Sequence, residues 1–323
     1  MDMLDEIKGI ANQFQYALTH YQGLKFNLNG IQHIHLAGMG GSALPADLVN
    51  DYLSDINPSK QIRITRDYQL PKDVSPNDLV ICSSYSGNTE ETLESLEDAL
   101  SKMSKIVVLS HGGKLKEAAL KNKLPLIEIP TCIQPRCAVG YFFSALLMVL
   151  ESAGWINDSV SVIKQLEALM QAKALAAEDE GKKIAQFLKD KLPLIYGPTS
   201  LAAVLKIFKI KLNENAKVQA FYNVYPELNH NEMVGFTKLI TKPGIVQFRS
   251  QFMHPRIGLR MDVIKKVLGQ TISFYDVELK GQDLLEEIFL AHTIADYASY
   301  YLAREYGMDP APVEMVEEFK RLL

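Results

Sequence analysis

A chain of 323 residues, 47% hydrophobic and 22% charged, is long enough to bury two cores and has ordinary globular usage. Its net charge of −4 at pH 7 gives no global pull toward nucleic acid or an acidic membrane surface. Only Cys82, Cys132 and Cys137 occur, with no His or Cys cluster to complete a metal set, so reduced structural thiols and a cytoplasmic setting are expected.

The acidic opening of the chain, residues 1–6, lacks the basic-then-apolar order of a secretory signal. The most apolar window, residues 139–150, is too short to cross a bilayer. Residues 3–22 read as a helix with Ile7, Ile10, Ala11, Phe14 and Leu18 near one face, ended by Gly23, Asn27, Asn29 and Gly30. A first strand is expected over 31–37, then the turn Gly38-Met39-Gly40-Gly41-Ser42 and a helix over 43–52. Strands over 63–68, 79–82, 105–110 and 124–129 alternate with helices over 89–103, 113–120 and 136–153. This alternation is the pattern of a parallel sheet with crossover helices.

The texture changes at Gly154-Trp155, and residues 159–190 form an Ala-, Lys- and Glu-rich helical stretch suited to linking two units. We therefore expect an N-terminal domain over 1–153 and a C-terminal domain over 154–323, the latter carrying the linker helix and a C-terminal helix. In the second, Leu192 to Ser200 repeats the order strand, glycine turn and hydroxyl-bearing helix start seen around Gly38 and Ser42. Helices over 199–213, 255–268, 284–306 and 313–322 and strands over 217–221, 244–249 and 271–277 follow, with Asp309-Pro310 stopping the long helix. The expected fold class is α/β, two similar domains that are each a parallel sheet flanked by helices, an αβα sandwich.

Two loops carry the chemistry. Ser83-Ser84-Tyr85-Ser86-Gly87-Asn88-Thr89 follows the buried-strand run Leu79 to Cys82 and opens a helix. Hydroxyls, a glycine and free amides at a helix N-terminus suit a doubly charged anion, although a turn ending in an N-cap at Thr89 fits the same residues. The Gly38–Ser42 turn lacks the third glycine of a dinucleotide fingerprint, since Ala43 stands there, and Asp67 is too distant to hold a ribose. Its glycines point instead to a tight turn where a ligand or backbone comes close.

Together, Gly38-Met39-Gly40-Gly41-Ser42 and Ser84-Tyr85-Ser86-Gly87-Asn88-Thr89-Glu90-Glu91-Thr92 resemble the SIS (sugar isomerase) domain, a phosphosugar-binding α/β fold. Leu212-Asn213-Glu214-Asn215-Ala216-Lys217, Glu227-Leu228-Asn229-His230-Asn231 and Asp309-Pro310 with Lys320 narrow this to a resemblance with bifunctional phosphoglucose/phosphomannose isomerases. The resemblance spans nearly the whole chain. It implies interconversion of glucose 6-phosphate or mannose 6-phosphate with fructose 6-phosphate, without redox cofactor or metal. It implies phosphate binding by Gly40, Ser42, Ser84, Ser86 and Thr89, with Arg136 of Pro135-Arg136 near the C1 and C2 oxygens. It makes Glu214 the general base, His230 the ring-opening histidine supplied across a homodimer, and Lys320 a lysine near the ring oxygen. Val313, seven residues before Lys320, is an apolar residue in a region where the resemblance places groups influencing epimer choice.

These residue types suit the chemistry independently. One carboxylate placed over two carbons can remove a proton α to a carbonyl and return it to its neighbour. A fixed guanidinium stabilises the enediolate charge that builds meanwhile, and histidine gives and takes protons near neutrality. Plainer roles exist for each: a solvated helix end for Glu214, a polar turn for His230, an ion pair with Glu128 for Arg136. His33, His35, His111, His254 and His292 show no ligand spacing and are expected to be structural, and Phe221-Tyr222 to be core. The rivals are a non-catalytic phosphosugar-binding SIS regulator and an isomerase of another phosphosugar. The thirty residues before the first strand leave no room for a basic DNA-binding module, and no N-terminal Cys nucleophile suggests an amidotransferase.

Overall fold

The computed structural model describes residues 2–323. The chain packs as two compact units, Lys8–Gln171, and Ala172–Leu323 together with the residues up to Ile7. Helix α1 (Met3–Lys8) leads from one to the other, as does a later helix, α7 (Ser159–Leu188). The helix expected over 3–22 is interrupted at Gly9, and α2 (Ile10–His20) follows. A glycine inside a helix costs about 1 kcal/mol relative to alanine, so the break falls where the chain is least able to resist it.

In the Lys8–Gln171 unit, β1 (Ile34–Gly38), α3 (Gly40–Ile56), β2 (Ile62–Thr65), β3 (Leu79–Ser84), α4 (Glu90–Ser101), β4 (Lys105–Ser110), α5 (Gly113–Lys121), β5 (Leu126–Glu128) and α6 (Val139–Ser152) follow in order. The five strands are parallel in the order β2-β1-β3-β4-β5. Every residue of β1 and β3 is buried, which explains their unbroken apolar runs. Ala37, Val80, Cys82, Leu96, Val108 and Leu115 belong to one core cluster. Ala37 pairs with Cys82 and Gly38 with Ser83. The two loops singled out in the sequence therefore leave neighbouring strands at one carboxyl edge, where open parallel sheets bind ligands.

The second unit contains β6 (Leu192–Pro198), α8 (Ala202–Glu214), β7 (Phe221–Tyr225), β8 (Pro243–Arg249), α9 (Pro255–Leu268), β9 (Ser273–Glu278), α10 (Leu284–Glu305) and α11 (Glu314–Leu322). Its strands are parallel in the order β7-β6-β8-β9, which repeats the β2-β1-β3-β4 order of the first sheet. The fold is thus the expected α/β architecture of two parallel sheets flanked by helices.

Two expectations fail around β7. Residues 217–220 are not strand: Lys217 adopts φ 60°, a left-handed conformation that no strand accepts, and pairing with β6 begins only at Phe221. Phe221 and Tyr222 are not core either, being 52% and 39% exposed. The cause is topology, since β7 lies at the edge of its sheet. Among the described residues, no helix is long and apolar enough to cross a membrane.

Candidate active site

The phosphate-loop candidates form one hydrogen-bonded assembly at the β1–β3 edge. The Tyr85 amide donates to Ser42 Oγ at 2.8 Å, joining the two loops directly. Ser83 Oγ donates to the Ser42 carbonyl at 2.8 Å, so this residue also links the loops. Ser84 Oγ accepts from the Gly87 amide at 3.1 Å and lies 2.9 Å from Thr89 Oγ1. Thr89 occupies the N-cap position of α4, yet its side chain makes no cap bond. Its hydroxyl is turned into the loop instead, against the plain N-cap alternative.

Within this assembly the five proposed binders divide by exposure. Ser42 and Ser84 are buried, their hydroxyls engaged by loop amides, whereas Gly40 and Ser86 face solvent and Thr89 is intermediate. Gly87 has φ 68°, and a Cβ there would overlap the Gly112 carbonyl, so only glycine fits. Ser110 Oγ supports the loop by donating to the Ser84 carbonyl at 2.7 Å. A groove of about 730 Å³ lined by Tyr68, Leu70, Leu93 and Leu96 runs beside α4 and includes none of these loop residues.

Arg136 lies in the same unit, in a 3₁₀ turn (Pro135–Cys137), and is 3% exposed. Gly41, at the start of α3, brings the turn to the loop. A Cβ on Gly41 would stand 2.7 Å from the Arg136 nitrogen and 2.9 Å from the Pro135 carbonyl carbon. Gln13 clamps the turn from α2, donating to the Cys137 carbonyl at 2.6 Å and accepting from the Gly140 amide at 2.9 Å. Tyr85 holds the approach to it, its hydroxyl bonding the Cys132 amide at 2.5 Å and carbonyl at 3.1 Å. Glu128, the alternative partner for Arg136, is paired with Lys116 at 2.8 Å. Tyr85 and Gln13 went unassigned in the sequence; a glutamine on the apolar face of a helix, beside Ile10 and Phe14, was the available signal for one of them.

In the other unit, Glu214 is the last residue of α8 and is partly buried. Lys217, at its left-handed φ, donates from Nζ to the Glu214 carbonyl, to Pro312 O at 2.6 Å and to Pro310 O at 3.4 Å. It thereby ties the end of α8 to the segment that launches α11. His230 closes a 3₁₀ turn (Glu227–His230) and is exposed. The turn is fixed by fully buried Leu228, by Asn231 Nδ2 donating to Glu227 Oε1 at 2.7 Å, and by Arg260 donating to Asn229 at 3.3 Å. Next to it, Glu232 accepts from the Tyr196 hydroxyl and Asn223, and burial followed by this carboxylate pushes the Tyr196 phenol up. Lys320 is 63% exposed on α11 and pairs with Glu317 at 2.9 Å. No residue of that helix is buried, and Met315, Phe319 and Leu322 are 84%, 62% and 82% exposed.

The structure therefore gathers Gly40, Ser42, Ser84, Ser86, Thr89 and Arg136 within one unit, and sets Glu214, His230 and Lys320 in the other. Among the described residues no group of three His, Cys, Asp or Glu side chains has metal-holding geometry. Cys82, Cys132 and Cys137 form no disulfide, and burial pushes the Cys82 thiol up to about 12.

Comparison with known proteins fits this picture. Residues 177–323 match the model for the bacterial phospho-glucose isomerase C-terminal SIS domain. A bifunctional phosphoglucose/phosphomannose isomerase of Caldicellulosiruptor bescii is 34% identical, the match covering 99% of this chain and 98% of the relative. A D-glucosamine-6-phosphate 4-epimerase of Sulfolobus acidocaldarius is 32% identical over 88% of this chain and 86% of its own. The tagatose-6-phosphate ketose/aldose isomerase structure from Escherichia coli superposes with a TM-score of 0.68 at 16% identity, covering 96% and 94% of the two chains. That last likeness establishes the fold alone. The end-to-end match at 34% identity establishes more, and the chain belongs to the bifunctional phosphoglucose/phosphomannose isomerase family.

Proposed function

We propose that this protein interconverts glucose 6-phosphate, mannose 6-phosphate or both with fructose 6-phosphate by proton transfer through a cis-enediol. The observation that carries the proposal is the joined pair of hydroxyl loops at the β1–β3 edge, with the Arg136 turn held against it through Gly41. Ser86, Thr89 and the amides about Gly40 receive the phosphate, while Ser42 and Ser84 accept from the Tyr85 and Gly87 amides and so hold the second loop in place. Binding energy from the phosphate, remote from C1 and C2, fixes the sugar for reaction.

Glu214 acts as the base. It removes the proton from C2 of the open-chain aldose, and the electron pair moves into the enediolate while the C1 carbonyl oxygen takes up negative charge. Arg136 stabilises that charge, the hydroxyl proton passes from O2 to O1, and Glu214 returns the carbon proton to C1 as the C2 carbonyl forms, giving the ketose. His230 opens the ring by moving a proton to the ring oxygen, and Lys320 stands beside that oxygen. The exposure of His230 supports its delivery to a second copy in a homodimer. The unbridged thiols, with Cys82 and Cys132 buried, support a cytoplasmic setting. Gly154, at φ 71° directly after α6, supports a domain boundary there, with α7 counted in the C-terminal domain.

Glu214→Gln should lose about a thousandfold or more in kcat while still binding fructose 6-phosphate, since the amide keeps the shape and loses the base. Parental turnover in a coupled assay, scored separately for glucose 6-phosphate and mannose 6-phosphate, would overturn the base assignment. The parental protein should keep full activity after EDTA. Turnover of glucosamine 6-phosphate to its C4 epimer, with none of fructose 6-phosphate, would favour the other activity found among the relatives.

A further inference from the structure

Val204 and Phe208 of α8 are buried, the Phe208 ring meeting Phe248 of β8 edge-on, and the next turn of the helix brings in Lys211, a lysine only 1% exposed. Its ammonium pairs with Asp296 of α10, itself 8% exposed. One turn further along each helix, Asn215 Nδ2 donates to Ser299 Oγ at 2.9 Å, and Ser299 Oγ donates to the Asp296 carbonyl at 3.0 Å. Asn215 and Ser299 are buried as well, at 2% and 0% exposure. Two polar rungs thus join the last turn of α8 to α10. His292 adds no charge beside them. Its Nδ1 lies 3.3 Å from Asp296 Oδ2, and burial, then Lys211, hold its pKa well below the ordinary histidine range.

Stability does not account for such rungs, because a buried ion pair seldom outperforms well-packed apolar side chains in its place. What it supplies is geometry. Apolar faces tolerate sliding, whereas a charge pair and a directed hydrogen bond one turn apart accept a single register. Glu214 lies between the rungs, on the last turn of α8. That turn is poorly suited to hold a carboxylate unaided, since helix ends lack intrahelical partners and the dipole there is negative.

We propose that Lys211 and Asp296, with Asn215 and Ser299 as the outer rung, are positioning residues that fix the last turn of α8 and thereby the carboxylate of Glu214. This rests on Glu214 being the base. A loosened rung then slows proton abstraction from C2 without disturbing the phosphate loops.

The test uses the full chain carrying K211M/D296L, which replaces the pair with apolar groups, and separately Asn215→Ala, which leaves the pair intact. K211M/D296L should fold with a Tm close to the parent. Its kcat should fall by roughly tenfold or more, with KM for fructose 6-phosphate changed by less than about twofold. The deuterium isotope effect with 2-deuterated glucose 6-phosphate should rise, because proton abstraction becomes more fully rate-limiting. Asn215→Ala should show the same pattern at about threefold, and it carries the test alone if the double variant does not fold. Parental kcat and isotope effect in the folded variants would overturn the proposal, as would a loss confined to KM. Glu214→Gln, measured alongside, separates the two ideas: an inactive E214Q with a parental K211M/D296L overturns the positioning role only, and an active E214Q removes the base beneath it.

Discussion

His35 and His292 lie buried in different units, and neither ring makes a hydrogen bond from either nitrogen among the described residues. Burial lowers both pKa values; Asp78 partly opposes the shift at His35, and Lys211 reinforces it at His292. The unfolded chain protonates these rings near pH 6.5, whereas the folded chain resists protonation until a lower pH. Below that value the unfolded state binds more protons, so stability present above about pH 6.5 is lost as the pH falls, by up to about 1.4 kcal/mol per pH unit for each ring. Urea unfolding between pH 7.5 and 5.5 should show this decline, and His35→Leu with His292→Leu should flatten it. An unchanged slope in that double variant would assign the effect to carboxylates elsewhere.

At the scale of elements, the start of α3 decides whether the Arg136 turn reaches the phosphate loop. Gly41→Ala would set a methyl group 2.7 Å from the Arg136 nitrogen, against backbone that has little room to yield. The expected cost is about 1–3 kcal/mol of stability. If Arg136 has the proposed role at the enediolate, a fall in kcat beyond any change in KM is expected with it. Parental kinetics in G41A would show that this approach is not needed. The same elements mark what could be read in advance. The strand runs at Leu79 and Ile34 and the glycines between them were legible because central parallel strands are buried on both faces and leave continuous apolar sequence. The start of β7 was not, since Lys217 takes a left-handed φ that its residue type does not announce, and only pairing with β6 sets where the strand begins.

Across the whole molecule, the exposed His230, and α11 with its uncovered Met315, Phe319 and Leu322, argue for a second copy. If Glu214 and His230 of one site come from different chains, two inactive variants should rescue each other. Mixing E214Q and H230A after reversible dissociation should restore about a quarter of parental activity, since half of the dimers are mixed and each has one intact site. No recovery, with mixed dimers demonstrated by mass spectrometry, would place both residues in the same chain's site.

Local sequence by itself determined the alternation of strand and helix and the two hydroxyl loops, while the candidates Glu214, His230 and Arg136 came from the likeness of short motifs to a known family. Each is encoded within a few residues, by burial pattern, turn chemistry or a short motif. Tertiary structure alone decided which hydroxyls of the cradle are exposed and which are spent holding amides. It also decided that Gly41 admits the Arg136 turn, that β7 is an edge, and that Lys211 meets Asp296 in a buried rung. These pairings join residues up to roughly a hundred positions apart, and their energies come from contacts that exist only after the sheets and helices have packed.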